Sequence, residues 1–476
     1  MNRVLLSISL LACMLAASCR SIQPPAPYGA CPSPQQTAWQ RMEMNMFCHF
    51  GPNTFSGKEW GDGTEPDSLF NPSDLDCDQW AAVAKEAGMG GIIITAKHHD
   101  GFCLWPTNQS PHSVAGSPWR NGQGDVLREL DEACRRAGIG MGVYISPWDR
   151  NHPAYGTPQY NTVFANTLRE VHQSYGPLFE QWLDGANGEG PSGKKQQYDW
   201  ALFHSTVFDI NPRVVFFSDV GPGCRWVGNE EGRAGETCWS TLDTEGFTPG
   251  AGAPSPDTLS RGNRGGERWV AAEADVSLRP GWFYHDNEKP KSVQELLRIY
   301  YASVGRNALL LLNVPPDQRG HIAEGDSIRL MEFRAALDSI FATDLAQGAR
   351  VSASNRRGKA FQPKHVLDSS YHTYWAVDDS VLTPVLTLTF PRTRRFNRVM
   401  LQEYIPLGQR VSAFHIDYQA ADGSWHRLAQ ATTIGYKRLL LTPTVEARAV
   451  RLHIDASLAP PVINRIALYN DTLYEP

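Results

Sequence analysis

Gly91-Ile-Ile-Ile-Thr-Ala-Lys-His-His-Asp100 decides the fold. Six nearly continuous apolar residues suit a strand buried on both faces, and the run is too short for a typical helix. It ends abruptly in two imidazoles and a carboxyl. Upstream, residues 74–87 carry apolar side chains at three- and four-residue spacing and stop at Gly88. Downstream, residues 125–137 repeat that pattern and stop at Gly138, before the next apolar run, 140–145. The unit is strand, helix, strand.

Working outward, apolar runs recur at 46–50, 91–96, 140–145, 178–183, 214–218, 236–240, 269–274 and 308–314. Further helices are expected at 157–174, 198–209, 292–305 and 324–341, with the sixth and seventh units irregular and no clear helix between them. Eight strands alternating with helices over residues 36–343 predict an α/β fold of (β/α)8, TIM-type, barrel class. Such barrels carry their chemistry where the strands end. The strand ends here hold His49, His98-His99-Asp100, Trp148-Asp149, Asp184, Asp219, Glu273 and Asn313.

Both ends of the chain differ from this middle. Val4 to Ala17 is apolar behind Arg3 and is followed by Ala16-Ala17-Ser18-Cys19, the form of a bacterial export signal over 1–19 with Cys19 as a lipid-bearing first mature residue. An exported protein, periplasmic or anchored at the outer membrane, is expected, with membrane contact only through that lipid. Residues 20–35 read as a tether. From 344 to 476 the helical period disappears. Val385-Leu-Thr-Leu-Thr-Phe390, Phe414-His-Ile-Asp-Tyr418 and Val450-Arg-Leu-His-Ile454 alternate instead, which predicts an antiparallel β-sandwich.

Composition narrows the class of function. In 476 residues, 44 basic against 50 acidic side chains leave a net charge of −6, with no basic run to suit nucleic-acid phosphates. The 14 Trp, 16 Tyr and 19 Phe suit the apolar faces of sugar rings or a large aromatic core. The cysteines form no CxxC pair, so a thiolate zinc site is not expected, and several lie in apolar runs as buried thiols.

Cleaving a glycosidic bond takes two carboxyl groups, one to protonate the leaving oxygen and one to attack carbon or activate water. Trp182-Leu-Asp-Gly-Ala-Asn187 ends a strand with an acid, and the Gly after it lets a sugar approach closely. Asp184 is the candidate nucleophile. Glu230, Glu231, Glu236 and Glu273 compete for the second role, and spacing does not choose among them. His98 and His99 with His49 could suggest a metal hydrolase, but adjacent strand residues face opposite ways and no HxH or HExxH pattern is present. No metal or cofactor is expected in catalysis. Trp60, Trp105, Trp148 and Trp282 are candidate stacking surfaces for sugar rings.

Phe50-Gly-Pro-Asn-Thr-Phe55, Glu59-Trp-Gly61, Lys97-His-His-Asp-Gly-Phe-Cys-Leu-Trp105 and Trp182-Leu-Asp184 closely resemble the bacterial α-L-fucosidases of glycoside hydrolase family twenty-nine. The resemblance implies a metal-free, retaining exo-hydrolase acting on fucosylated oligosaccharides or glycoconjugates. It makes Asp184 the nucleophile and His49, Glu59, Trp60, His98, His99 and Tyr144 holders of fucose. Asp-Gly-Ala-Asn-Gly-Glu189, Val-Gly-Asn-Glu230 and the stretch from Glu273 to Tyr284 resemble the branch selective for α-1,3/1,4-linked fucose on Lewis-type glycans. That branch implies Glu230 as acid/base, with Glu231 one register away, and Trp282 against the sugar. A retaining pair implies carboxyls roughly 5–5.5 Å apart. The tail is similar to discoidin-like carbohydrate-binding sandwiches through Val366-Leu-Asp368 and Tyr374-Trp375. A broad-specificity fucosidase, a hydrolase of another sugar such as galactose, and an inactive glycan-binding lipoprotein are the competing readings.

Overall fold

The computed structural model describes residues 22–475; the expected export signal and the lipid expected on Cys19 lie outside them. Eight parallel strands close into a barrel: β1 (Met44–Cys48), β2 (Gly91–Lys97), β3 (Gly140–Ile145), β4 (Glu180–Trp182), β5 (Val215–Ser218), β6 (Cys224–Trp226), β7 (Ala271–Ser277) and β8 (Leu309–Asn313). The strands read as continuous apolar runs because both faces are covered. Phe47, Ile93, Tyr144, Trp182, Val215, Phe217, Leu309 and Leu311 share the cluster that fills the barrel. Their neighbours Met46, Ile92, Ile94, Val143, Phe216, Leu310 and Leu312 pack outward with the helices. Trp39, from the helix Pro34–Gln40, joins the inner cluster.

Helices Cys77–Glu86, Val126–Ala137, Pro158–Ser174, Trp200–Ile210, Val293–Ala302 and Glu324–Phe341 alternate with the strands. One expectation needs correcting. The sixth strand is not 236–240 but Cys224–Trp226, which follows β5 after a Gly-Pro-Gly turn with no helix between. The irregularity therefore falls between the fifth and sixth strands. A short helix, Pro256–Arg261, stands between the sixth and seventh. Segment 236–240 is held by the sandwich instead: Cys238 N donates to Thr433 Oγ1 (2.9 Å), Ser240 N to Gln409 Oε1 (2.7 Å), and Gln409 Nε2 to Cys238 O (3.1 Å).

The C-terminal unit is an antiparallel sandwich around Trp375, Leu386, Phe396, Phe414, Leu452 and Ile466. Its strands Val385–Glu403 and Arg438–Ser457 pair along most of their length, with register breaks that let them bend. The described part of the expected tether lies on this unit: Tyr28 N donates to Leu407 O (3.1 Å), and Arg410 Nη2 to Ala26 O (2.6 Å). Met400, Leu439, Ala467 and Tyr469 of the sandwich belong to the same apolar cluster as the barrel's outer layer. Cys48, Cys77, Cys103, Cys134, Cys224 and Cys238 are buried free thiols.

Candidate active site

Inward-facing positions alternate along a strand, so the barrel's inner set continues onto its carboxyl rim two residues at a time. Phe47 leads to His49, Trp182 to Asp184, Phe217 to Asp219, Leu311 to Asn313, and Glu273 to Asp275. A cavity of about 210 Å³ opens at this rim. His49, Glu59, Trp60, His98, His99, Tyr144, Asp184, Glu230 and Trp282 all line it. These are the nine residues to which the family resemblance gave a catalytic or fucose-binding role. Phe47, Trp182, Ala186 and Asp275 complete the wall.

Asp184 sits just past β4. Its Oδ2 accepts from the Tyr144 hydroxyl at 3.1 Å and lies 3.8 Å from His99 Nε2, and its Oδ1 accepts from Ala186 N at 2.7 Å. These contacts aim one carboxylate into the cavity.

Three imidazoles face the same space, and their other nitrogens fix what each offers. The Ser146 hydroxyl donates to Trp148 O (2.8 Å), so it accepts from His99 Nδ1 (2.7 Å), which leaves His99 Nε2 an acceptor. His49 Nδ1 donates to Asn313 Oδ1 (2.9 Å), and its Nε2 is likewise an acceptor. Asn313 is oriented by its amide donating to Ser277 Oγ and Trp282 O, both at 2.8 Å. Asn53 Nδ2 lies 3.5 Å from His98 Nδ1, which makes His98 Nε2–H a donor. Burial holds all three rings neutral: His49 falls to about 3, His99 to about 4, and His98 well below its ordinary value. Neutral rings that mix donors and acceptors suit vicinal hydroxyls.

The competing acids separate cleanly. Glu230 reaches the cavity; burial first, then the Asp184 charge, push its carboxyl up, partly offset by a hydrogen bond involving Trp282. Glu231 points to solvent with its side chain 66% exposed and pairs with Arg233 at 2.9 Å. Glu236 lies at the domain junction, paired with Arg306 and, at 3.1 Å, with Arg438. Glu273 is wholly buried below the cavity, where its Oε1 accepts from Trp182 Nε1 at 2.8 Å. Beside it Glu180 accepts from Trp39 Nε1 at 2.7 Å, and burial raises both carboxyls.

The remaining candidates take different places. The Glu59 carboxylate braces the loop opposite, accepting from Trp282 N (2.7 Å), Phe283 N (3.4 Å) and His285 Nε2 (2.7 Å). Trp60 is 58% exposed at the mouth, edge-on to His99 and Trp148 at 5.6 Å. Trp105 is a core residue. Asp149 is structural, buried against Lys97 Nζ at 2.9 Å. Asp275 was not singled out. It accepts from Trp226 Nε1 at 2.9 Å, and burial, with Glu230 nearby, raises its carboxyl well above the usual range. The alternation Glu273-Ala-Asp275 was the available signal.

A second cavity, of about 500 Å³, opens from Asp184 and Glu230 and runs over Asn187, Asp219, Trp226 and the segment 250–256. Asp219 accepts from Gly250 N at 2.5 Å, and burial pushes its carboxyl up to about 6.

A (β/α)8 barrel with Asp184, Glu230 and hydroxyl-matching imidazoles in one rim cavity defines a glycoside hydrolase. Sequence comparison gives the family: the Alpha-L-fucosidase profile matches residues 28–338, and an F5/8 type C domain profile matches 350–468. The chain belongs to the α-L-fucosidase family. It is 45% identical to Alpha-L-fucosidase 1 of Arabidopsis thaliana over 453 residues, 94% of this chain and 89% of that protein. A Ruminococcus gnavus glycoside hydrolase family 29 fucosidase in complex with fucose superposes with TM-score 0.87 at 32% identity, covering 95% of this chain and 98% of that one. A family 29 member from an unknown rumen bacterium superposes with TM-score 0.83 at 39% identity, covering 94% and 78%.

Proposed function

We propose that this α-L-fucosidase is a retaining exo-enzyme that removes terminal α-1,3/1,4-linked L-fucose from branched, Lewis-type glycans. The carrying observation is that Asp184 and Glu230 share one small cavity with three neutral imidazoles. In this reading Glu230, whose pKa burial raises, protonates the departing oxygen while Asp184 attacks the anomeric carbon. Glu230, now a base, takes a proton from the water that hydrolyses the fucosyl ester on Asp184. His49, His98 and His99 hold the fucose hydroxyls, and Trp60 and Trp282 flank the ring. The relative solved with fucose supports a fucose-sized pocket.

The linkage preference draws support from the adjoining cavity. It begins at the proposed catalytic pair and is wide enough for sugars beyond the scissile bond. The export signal and a lipid on Cys19 belong to the same proposal, as a route by which the enzyme meets extracellular glycans.

The test gives purified enzyme an aryl α-L-fucoside and, separately, a Lewis-type branched trisaccharide, and follows free fucose. Release chiefly from the trisaccharide is expected. Equal release from both would sink the linkage assignment, and no release from either would favour an inactive glycan-binding relative. Azide then separates the two carboxyls: with Asp184→Gly it should yield the inverted β-fucosyl azide, and with Glu230→Ala the retained α-fucosyl azide. Exchanged products would reverse the two roles.

A further inference from the structure

The C-terminal sandwich carries a group of side chains that the fucosidase chemistry does not use. Strand Val411–Gln419 turns Phe414 and Ile416 into the sandwich core and so turns His415 and Asp417 outward together. The neighbouring antiparallel strand, Arg438–Ser457, turns Val450, Leu452 and Ile454 inward and His453 outward. His453 stands directly opposite His415 in register. The two rings stack at 4.3 Å with 12° between their planes.

Both imidazoles address one oxygen: His415 Nε2 lies 3.5 Å and His453 Nε2 3.3 Å from Asp417 Oδ2. We propose that His415, Asp417 and His453 form a divalent transition-metal site of zinc type that clips these two strands together. In a tetrahedral centre with bonds of about 2.05 Å, neighbouring ligand atoms stand about 3.3 Å apart. The two nitrogen–oxygen separations match that edge, and the donor atoms of all three residues lie within 4.8 Å of one another. An ion shared by both rings must lie in both ring planes, which stand 12° apart here, so binding requires each ring to rotate about χ2, a soft torsion.

The surroundings fit ligands rather than a plain ion pair. Asp455 Oδ2 accepts from His415 Nδ1 at 2.8 Å, which leaves the Nε2 lone pair for an ion; this is the outer carboxylate that orients metal-bound histidines. Arg427 Nε donates to Asp417 Oδ1 at 2.7 Å and so leaves Oδ2 to the rings. His453 Nε2 is buried without a hydrogen-bond partner. Protonating both rings would stack two cations 4.3 Å apart, whereas one shared cation satisfies both nitrogens and the carboxylate. Two imidazoles and one carboxylate select zinc, nickel or copper over magnesium or calcium. Partial exposure of the side chains leaves an entry path and room for water as fourth ligand.

The test uses the full chain without a polyhistidine tag, stripped with a chelator and dialysed against zinc. One retained zinc per chain by elemental analysis is expected, with a higher melting temperature that magnesium and calcium do not reproduce. His453→Gln and Asp417→Asn should lose both effects while keeping the wild-type circular dichroism and aryl-fucoside turnover, which shows that they fold. The proposal fails if the stripped wild type gains neither zinc nor melting temperature, or if His453→Gln retains zinc at the wild-type stoichiometry. Because turnover is read separately, failure here leaves the fucosidase assignment untouched.

Discussion

At the scale of single residues, the hydrogen bond from Tyr144 to Asp184 acts on the second half of the proposed reaction. The bond is made to the free carboxylate and weakened once that carboxylate is esterified. Releasing fucose regenerates the carboxylate and regains the bond, so Tyr144→Phe should slow the second step more than the first. A hydrogen bond to a charged group is worth about 1.5–3 kcal/mol, or roughly a 10–100-fold fall in kcat. KM should fall with it, and a burst of aglycone should precede the steady state in stopped-flow traces; equal losses in kcat and kcat/KM would refute the assignment. The imidazoles make a second prediction, about stability. His49 has a folded pKa of about 3 against about 6.5 unfolded, so between those values the unfolded chain binds more protons. Stability from this group is fully present above pH 6.5, falls as pH drops towards 3, and denaturation midpoints across that window should slope less steeply in His49→Gln. Most of these residues were legible in the sequence because a strand end that switches from apolar to imidazole or carboxyl is abrupt. Spacing did not choose Glu230 over Glu231, since neighbours in a loop obey no fixed period; the resemblance favoured Glu230, and burial separates the two. Asp275 was hidden inside an apolar-flanked strand, where an acid reads as a structural oddity.

At the scale of elements, five barrel strands and the eighth stand out as apolar runs, and the seventh was read with its bounds early. The sixth was invisible because Cys224-Arg-Trp226 is too short for any period to register. Segment 236–240 mimicked a strand because Cys238, Trp239 and Ser240 are buried, but the backbone there pairs with sandwich side chains. Asn307 fastens that arrangement. It holds φ at +66°, and its amide donates to Cys238 O and Ser240 Oγ, each at 3.0 Å, while its Oδ1 accepts from Tyr436 N at 2.7 Å. Gly435 is required alongside: its own φ is +64°, and a Cβ there would stand 2.2 Å from the Asn307 amide. Asn307→Ala leaves Tyr436 N without its partner, removes one of the two donors to Cys238 O, and strains the left-handed backbone, a loss of about 2–4 kcal/mol. Urea unfolding should show that loss, while aryl-fucoside KM stays near wild type because the residue precedes β8 at the end opposite the site. A stability change below about 0.5 kcal/mol would mean the junction is held elsewhere.

At the scale of the whole molecule, the barrel and sandwich are joined as parts of one body. The sequence drew a boundary near residue 343 from the change of period, and periodicity carries no information about what crosses it. What crosses it is a continuous apolar cluster, in which Met400, Leu439 and Tyr469 pack with the barrel's Tyr300 and Tyr301, and a buried ionic node. Arg398, 1% exposed, donates through Nη2 to Asp471 Oδ2 at 2.9 Å and through Nε to the Tyr301 hydroxyl at 3.2 Å, and Tyr301 donates to the same Asp471 oxygen at 2.7 Å. Domains that merely touch unfold separately, with relative motion as the default expectation. A shared core with a buried charge instead couples them, since unfolding either one exposes the other's apolar face and strands a charge in it. The described residues should therefore melt in a single calorimetric transition, with calorimetric and van't Hoff enthalpies in agreement. Removing one partner of a buried pair costs about 3–5 kcal/mol, so Arg398→Ala should lower that transition and broaden or split it, with the sandwich melting first. Two well-separated peaks in the wild type would refute the coupling. A chain ended at residue 343 should then expose the Tyr300–Tyr301 face and aggregate, even though every residue lining the proposed fucose cavity is still present.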